Sequence, residues 1–222
     1  MKVLLISDVV LEHIYSNSII ERFKDIDFVI SCGDLPNYYL EFIVSTLNKP
    51  LFYVMGNHNS TTFYRENLID NSNYKERTIR NDQDTENLPQ GCINLNQKII
   101  EYKGLILMGL EGSMRYSSGE YQYTDFEMSW KINKLRPRLL LNKIFKKKYL
   151  DILVTHSPPY KIHDNEDLCH RGFRSFVKFI NVYKPKYLIH GHIHLYGLNK
   201  EWQTTVGSTK VINAYGYRVI EI

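Results

Sequence analysis

Cysteine is scarce. The 222-residue chain holds three, Cys32, Cys92 and Cys169, far apart and odd in number. With no CxxC pair, the sequence argues against a disulfide scaffold and against a cysteine-rich zinc site. Long apolar runs are missing too: no stretch approaches the ~18 residues of a membrane span. The apolar start, Met1 through Ile6, is too short for a signal peptide and meets Asp8 almost at once. Charge is nearly balanced, at net +4. That permits an anionic substrate and gives no strong signal for nucleic acid. Internal repeats, linkers and low-complexity segments are absent. The expectation is one cytoplasmic domain over residues 1–222, without membrane association.

What is present is enough apolar residue for a substantial core, 43% of the chain. The apolar segments alternate between strand and helix. Lys2–Ser7 reads as a buried strand and residues 18–24 as a helix. Residues 27–31 read as a second strand, and residues 38–47, after Pro36, as a second helix. The run from Leu51 to Met55 is a third strand. This rhythm predicts a mostly parallel sheet. Residues 60–97 are polar and asparagine-rich, and read as loop and short helix, a surface excursion or part of a lid. Ile99–Tyr102 and Leu105–Leu110 form strands around a tight turn, and residues 109–119 form a loop.

Thr124 and Glu127 match a capping box, which predicts a helix to about Leu135, before Pro137. Residues 139–148 predict a second helix, with Lys143 and Lys146 to Lys148 at its solvated end. Residues 151–155 and 187–189 read as strands, 172–183 as a helix, and three short strands close the chain.

Predicted strands end in polar side chains: Asp8, Asp34, Asn57 with His58, His156, and His192 with His194. In an open α/β sheet, chemistry sits just past the carboxyl ends of the strands. One such Asp is ordinarily a turn residue, and one such His an ordinary surface group. A carboxylate, amide and imidazole set in one small α/β chain is harder to explain that way. His192 and His194 project to the same side of an extended segment. Mixed Asp, Asn and His donors suit Mn²⁺, Fe or Zn²⁺.

The ordered set Asp8, Gly33-Asp34, Gly56-Asn57-His58, His156 and Gly191-His192-Ile193-His194 resembles the calcineurin-like metallophosphoesterases. Asp8-Val9-Val10, the segment from Gly109 to Tyr116, and Thr155 to Pro159 resemble a bacterial branch of that family. The resemblance implies an α/β fold, a four-layer α/β/β/α sandwich of two mixed sheets flanked by helices. It implies two divalent metal ions. Asp34 would bridge them, Asp8 and His194 would bind the first, and Asn57, His156 and His192 the second. His58 would be the catalytic histidine beside the phosphoryl group. The implied reaction is hydrolysis of a phosphate ester, a phosphodiester more than a monoester, by attack of metal-bound hydroxide. Two cations about 3.5–4 Å apart can hold both the nucleophile and the phosphoryl oxygens.

Two positions depart from the pattern. The family has Asp-x-His at its first motif, and here Val10 stands in the histidine's place. Either Glu12 or His13 folds back, or water fills the gap, or the first site is weak or empty. Asn59 replaces an acidic residue after Gly-Asn-His, which touches only the orientation of His58. Arg115 is a candidate clamp for a small phosphorylated or nucleotide-type substrate, or a structural loop salt bridge. His163, Asp164, Asp167 and His170 could line a substrate pocket, hold another metal, or only brace their loop. A non-catalytic binding scaffold of the same fold is the alternative function, motivated by Val10.

Overall fold

The computed structural model describes residues 1–59, 88–196 and 201–222. The polar excursion expected over residues 60–97 lies mostly outside them. The first sheet holds β1 (Lys2–Ser7), β2 (Phe28–Ser31), β3 (Leu51–Tyr53), β4 (Ile93–Asn94) and, at the chain's end, β13 (Gly216–Glu221). Its order is β13-β1-β2-β3-β4, parallel except where β13 meets β1. The second sheet holds β5 (Ile99–Tyr102), β6 (Leu105–Leu110), β9 (Ile152–Thr155), β10 (Tyr187–His190), β11 (Gln203–Val206) and β12 (Thr209–Asn213). Its order is β11-β12-β10-β9-β6-β5, with antiparallel strands only at the two edges.

Side-chain alternation explains why these strands read as unbroken apolar runs. Val3 and Leu5 face the second sheet, where they join Leu107, Ile152, Val154, Ile189 and Ile212. Leu4 and Ile6 face outward, onto Ile19 of α1 (Ile19–Arg22) and Tyr39, Leu40 and Ile43 of α2 (Asn37–Leu47). On the far side, Met108, Leu153 and Leu188 pack against α3 (Asp125–Lys146) and α4 (Arg174–Tyr183). A strand buried on both faces has no polar alternation to show. The layers run helix, sheet, sheet, helix, as the resemblance implied.

Some elements differ from expectation. The two helices predicted on either side of Pro137 are one 22-residue helix, α3. Pro137 is exposed, so the Asn133 carbonyl that loses its partner there faces water. The Thr124–Glu127 capping box is formed in both directions. Residues 109–119 include strand: β7 (Ser113–Met114) pairs with β8 (Gln122–Tyr123). Among the described residues, no helix is long and apolar enough to cross a membrane.

Because β1, β2 and β3 are parallel, Asp8, Asp34 and Asn57 leave the first sheet on the same side. His156 and His192 leave the second sheet the same way, after the parallel β9 and β10.

Candidate metal centre

Backbone strain marks these strand ends. Asp8, Asp34 and His192 have φ of 67°, 55° and 66°. A non-glycine residue in that region costs about 1–3 kcal/mol and persists only where its surroundings impose it. Here it turns three side chains out of the strand direction. Two glycines make room: Gly33 has φ +98°, and a Cβ there would come within 2.6 Å of Gly56 N and 2.7 Å of His156 Nδ1. A Cβ on Gly56 would collide with the Asp34 carboxylate.

His156 is fully buried. Its Nδ1 lies 2.7 Å from the Cys32 carbonyl oxygen and donates to it. Nε2 of the neutral ring is then a bare lone pair. It faces Asn57 Oδ1 at 3.0 Å and Asp34 Oδ2 at 3.3 Å. Asn57 is held in that orientation by its Nδ2, which donates to the Tyr116 hydroxyl at 3.1 Å. His192 Nε2 donates to the Cys169 carbonyl at 2.7 Å, leaving Nδ1 as its lone-pair nitrogen. One ligand atom each from Asp34, His156 and His192 lie within 4.8 Å of one another. Three lone pairs meeting without a donor repel each other unless a proton or a cation sits between them. Metal-binding histidines characteristically hand their second N–H to a carbonyl, as both of these do. The residues fit a divalent cation of mixed nitrogen and oxygen preference.

Charge follows the same geometry. Burial disfavours the His156 imidazolium, but the Asp34 and Asp8 carboxylates outweigh it and raise the pKa. Burial pushes the Asp8 carboxyl well up, against the pull of His156. Asp34 is equally buried, yet His156 and the His58 N–H hold it below the ordinary carboxylate range. His192 is pushed down to about 3 by burial, with His156 adding to the effect.

Asp34 Oδ1 accepts the His58 backbone N–H at 2.8 Å, which ties the catalytic-histidine candidate to the bridging-carboxylate candidate. Asn59 braces both loops. Its Oδ1 accepts from Asp34 N at 2.8 Å and Gly56 N at 2.5 Å, and its Nδ2 donates to Leu35 O at 2.9 Å. A carboxylate could accept those two bonds but could not donate the third.

The Asp8 side is looser. Asp8 is 1% exposed and takes the His192 N–H on both oxygens, at 3.0 and 3.1 Å. His194 Nε2 stands 3.9 Å from Asp8 Oδ1, with its side chain 41% exposed. Its ring lies against Tyr215, centroids 4.7 Å apart, and Nδ1 meets the Tyr196 hydroxyl at 2.7 Å. Val10 is at the surface. Among the described residues, no hydrogen bond or ion pair links Glu12 or His13 to Asp8. His13 packs edge-on against Tyr217.

Arg115 Nη2 is 2.9 and 3.0 Å from the Glu127 oxygens, the loop salt bridge that was its other reading. His163 links the buried His190 at 3.0 Å to Thr204 at 2.7 Å. Asp164 accepts from Gly172 N, and Asp167 holds Cys169 and His170. Asn213 donates to Ile193 O at 2.8 Å and so steadies the loop between His192 and His194. Sequence reasoning did not find Tyr116 as the brace of Asn57, or the Cys169 carbonyl as the brace of His192. A tyrosine in a glycine- and serine-rich loop was a weak signal for the first. A backbone carbonyl leaves none for the second.

The calcineurin-like phosphoesterase profile matches residues 1–196. No curated protein matches the sequence. Among solved structures, one crystal structure matches with TM-score 0.62 at 15% identity, covering 99% of this chain and 94% of that one. The crystal structure of TT1561 of Thermus thermophilus matches with TM-score 0.61 at 14% identity, covering 97% and 89%. At such identities the likeness shows the fold.

Proposed function

The chain belongs to the calcineurin-like phosphoesterase family, metal-dependent hydrolases of phosphoric ester bonds, and from that premise we propose a phosphodiesterase with an unequal two-metal centre. The observation that carries this reading is the meeting of His156 Nε2, Asn57 Oδ1 and Asp34 Oδ2 with both imidazole tautomers fixed by carbonyls. Asn57, His156 and His192 would hold one cation, Asp8 and His194 the other, and Asp34 would serve both. Mn²⁺, Fe or Zn²⁺ suits these donors. Such cations supply Lewis-acid polarisation and make water acidic enough to ionise near neutral pH.

The chain's own residues do the rest. The strained backbone at Asp8, Asp34 and His192 fixes the donors before substrate arrives. His58, tethered to Asp34 through its N–H, protonates the departing oxygen. The departing alkoxide of a diester or a monoester needs that proton, and the preference for a diester carries over from the resemblance. The substrate class is a small phosphorylated or nucleotide-type molecule. The three free cysteines fit a reducing compartment, the cytoplasm.

The test is hydrolysis of bis-p-nitrophenyl phosphate and p-nitrophenyl phosphate across Mn²⁺, Fe²⁺ and Zn²⁺. The diester is expected to be the better substrate, and His58→Ala should lower kcat about 10²–10⁴-fold on a diester that expels an alkoxide and far less on the p-nitrophenyl esters, whose leaving group needs little protonation. No hydrolysis with any of these metals would instead favour the non-catalytic scaffold that Val10 suggests.

A further inference from the structure

Helix α3 is apolar on two sides. Met128, Ile132 and Leu139 are buried against the second sheet. The opposite side exposes Phe126 at 80%, Phe145 at 76%, Ile144 at 61% and Trp130 at 59%, with Leu140 and Leu141 also exposed. The 3.6-residue repeat puts Phe126, Trp130, Pro137, Leu141 and Ile144 on one stripe. Exposed Asn133 and Lys134 fall between Trp130 and Pro137, and an exposed apolar stripe of this length marks a contact surface.

Charge identifies the partner. Residues 128–150 contain eight lysines and arginines and no acid, twice the net +4 of the whole chain. Lys131, Lys146 and Lys148 are engaged by Glu111, Glu101 and Asp151. Among the described residues, Arg136, Arg138 and Lys147 join no ion pair. By the same helical repeat, Lys134 and Arg138 border the stripe on one side, while Arg136 and Lys143 lie between it and the buried face. Lys134 Nζ lies 6.0 Å from the Trp130 ring centroid.

We propose that this face of α3 docks the protein on an anionic lipid bilayer. Phe126, Trp130, Leu141, Ile144 and Phe145 enter the boundary between headgroups and acyl chains, and the bordering cations meet lipid phosphates. A nucleic acid would satisfy the cations but leave the aromatic and aliphatic side chains in water. The expectation of no membrane association rested on the lack of a spanning segment, and that lack does not bear on docking at the surface.

The test mixes the full chain with vesicles of phosphatidylglycerol and phosphatidylcholine, or of phosphatidylcholine alone. In Trp202→Phe, Trp130 is the sole tryptophan reporter. Only the anionic vesicles are expected to pellet the protein and shift Trp130 emission to the blue, less so at high salt. Lys134→Glu with Arg138→Glu lowers vesicle affinity by more than about tenfold, since each cation near an anionic leaflet is worth about fivefold. Ile144→Ser with Phe145→Ser abolishes the blue shift while the thermal midpoint stays, because both side chains are exposed. No pelleting, or equal binding to phosphatidylcholine alone, overturns the proposal. So does a dimer that Phe145→Ser dissociates in a protein that ignores vesicles, since the face is then a subunit interface. Binding to duplex DNA that Phe145→Ser leaves intact, without vesicle binding, also overturns it. None of these readouts depends on phosphoesterase activity.

Discussion

The two halves of the candidate centre are built differently. Around His156, every donor is buried and has a second contact that aims it: Cys32 O for His156, Tyr116 for Asn57, Cys169 O for His192. Around Asp8, the carboxylate is buried but His194 is 41% exposed, rests on tyrosines and stands 3.9 Å away. Val10 offers no donor where the family places an imidazole. A donor set aimed from behind gives up little freedom when a cation arrives, whereas a loose set must be ordered by it. On the proposed reading, the difference makes one half preformed and leaves the other to be completed by what it binds.

The largest effect should come from breaking the preformed half. His156→Ala is expected to lower affinity for its cation at least about a hundredfold, beyond what loss of an outer contact does. Metal content after gel filtration checks it, and full retention would contradict the assignment. Tyr116→Phe is milder. It removes only the hydroxyl that aims Asn57, so affinity for the same cation should fall about ten- to a hundredfold with the thermal midpoint unchanged.

The contrast was partly legible in the sequence. Val10 stands where the resemblance places a histidine, and Asp34, Asn57, His156 and His192 were picked out as candidates because each follows an apolar run. Their aiming contacts were not. Cys32 and Cys169 act through carbonyls, which every residue has. Tyr116 comes from a loop distant in sequence, brought in by the short β7–β8 pair. Pro137 misled because a proline ordinarily ends a helix, and only its exposure shows why this one does not. Arg115 has the chemistry of a clamp, and its pairing with the capping-box Glu127 needed the fold to be seen.

Val10→His sharpens the comparison from the weak side. An added imidazole should tighten the Asp8–His194 half by about tenfold or more and leave the other unchanged. Competition titrations of the variant and the parent measure it, and tightening at both halves would mean that the two are not separate.

The smallest effect lies behind the centre. Burial holds His190 down at about 3, with His163 adding to the effect. Its folded pKa is below the unfolded value of about 6.5, so the unfolded chain binds more protons in between. Stability should therefore fall as pH drops through 6.5, by about 1–2 kcal/mol between pH 6.5 and 5. His190→Gln should flatten that part of the profile, and an unchanged slope would assign the loss to other groups.

The most direct measurement is calorimetric titration of metal-free protein with Mn²⁺ at neutral pH, repeated on Asn57→Ala and His194→Ala. The unequal centre predicts two binding events at least about tenfold apart in affinity, the tighter lost in Asn57→Ala and the weaker in His194→Ala. Two events of equal affinity, or loss of the tighter one in His194→Ala, would contradict it.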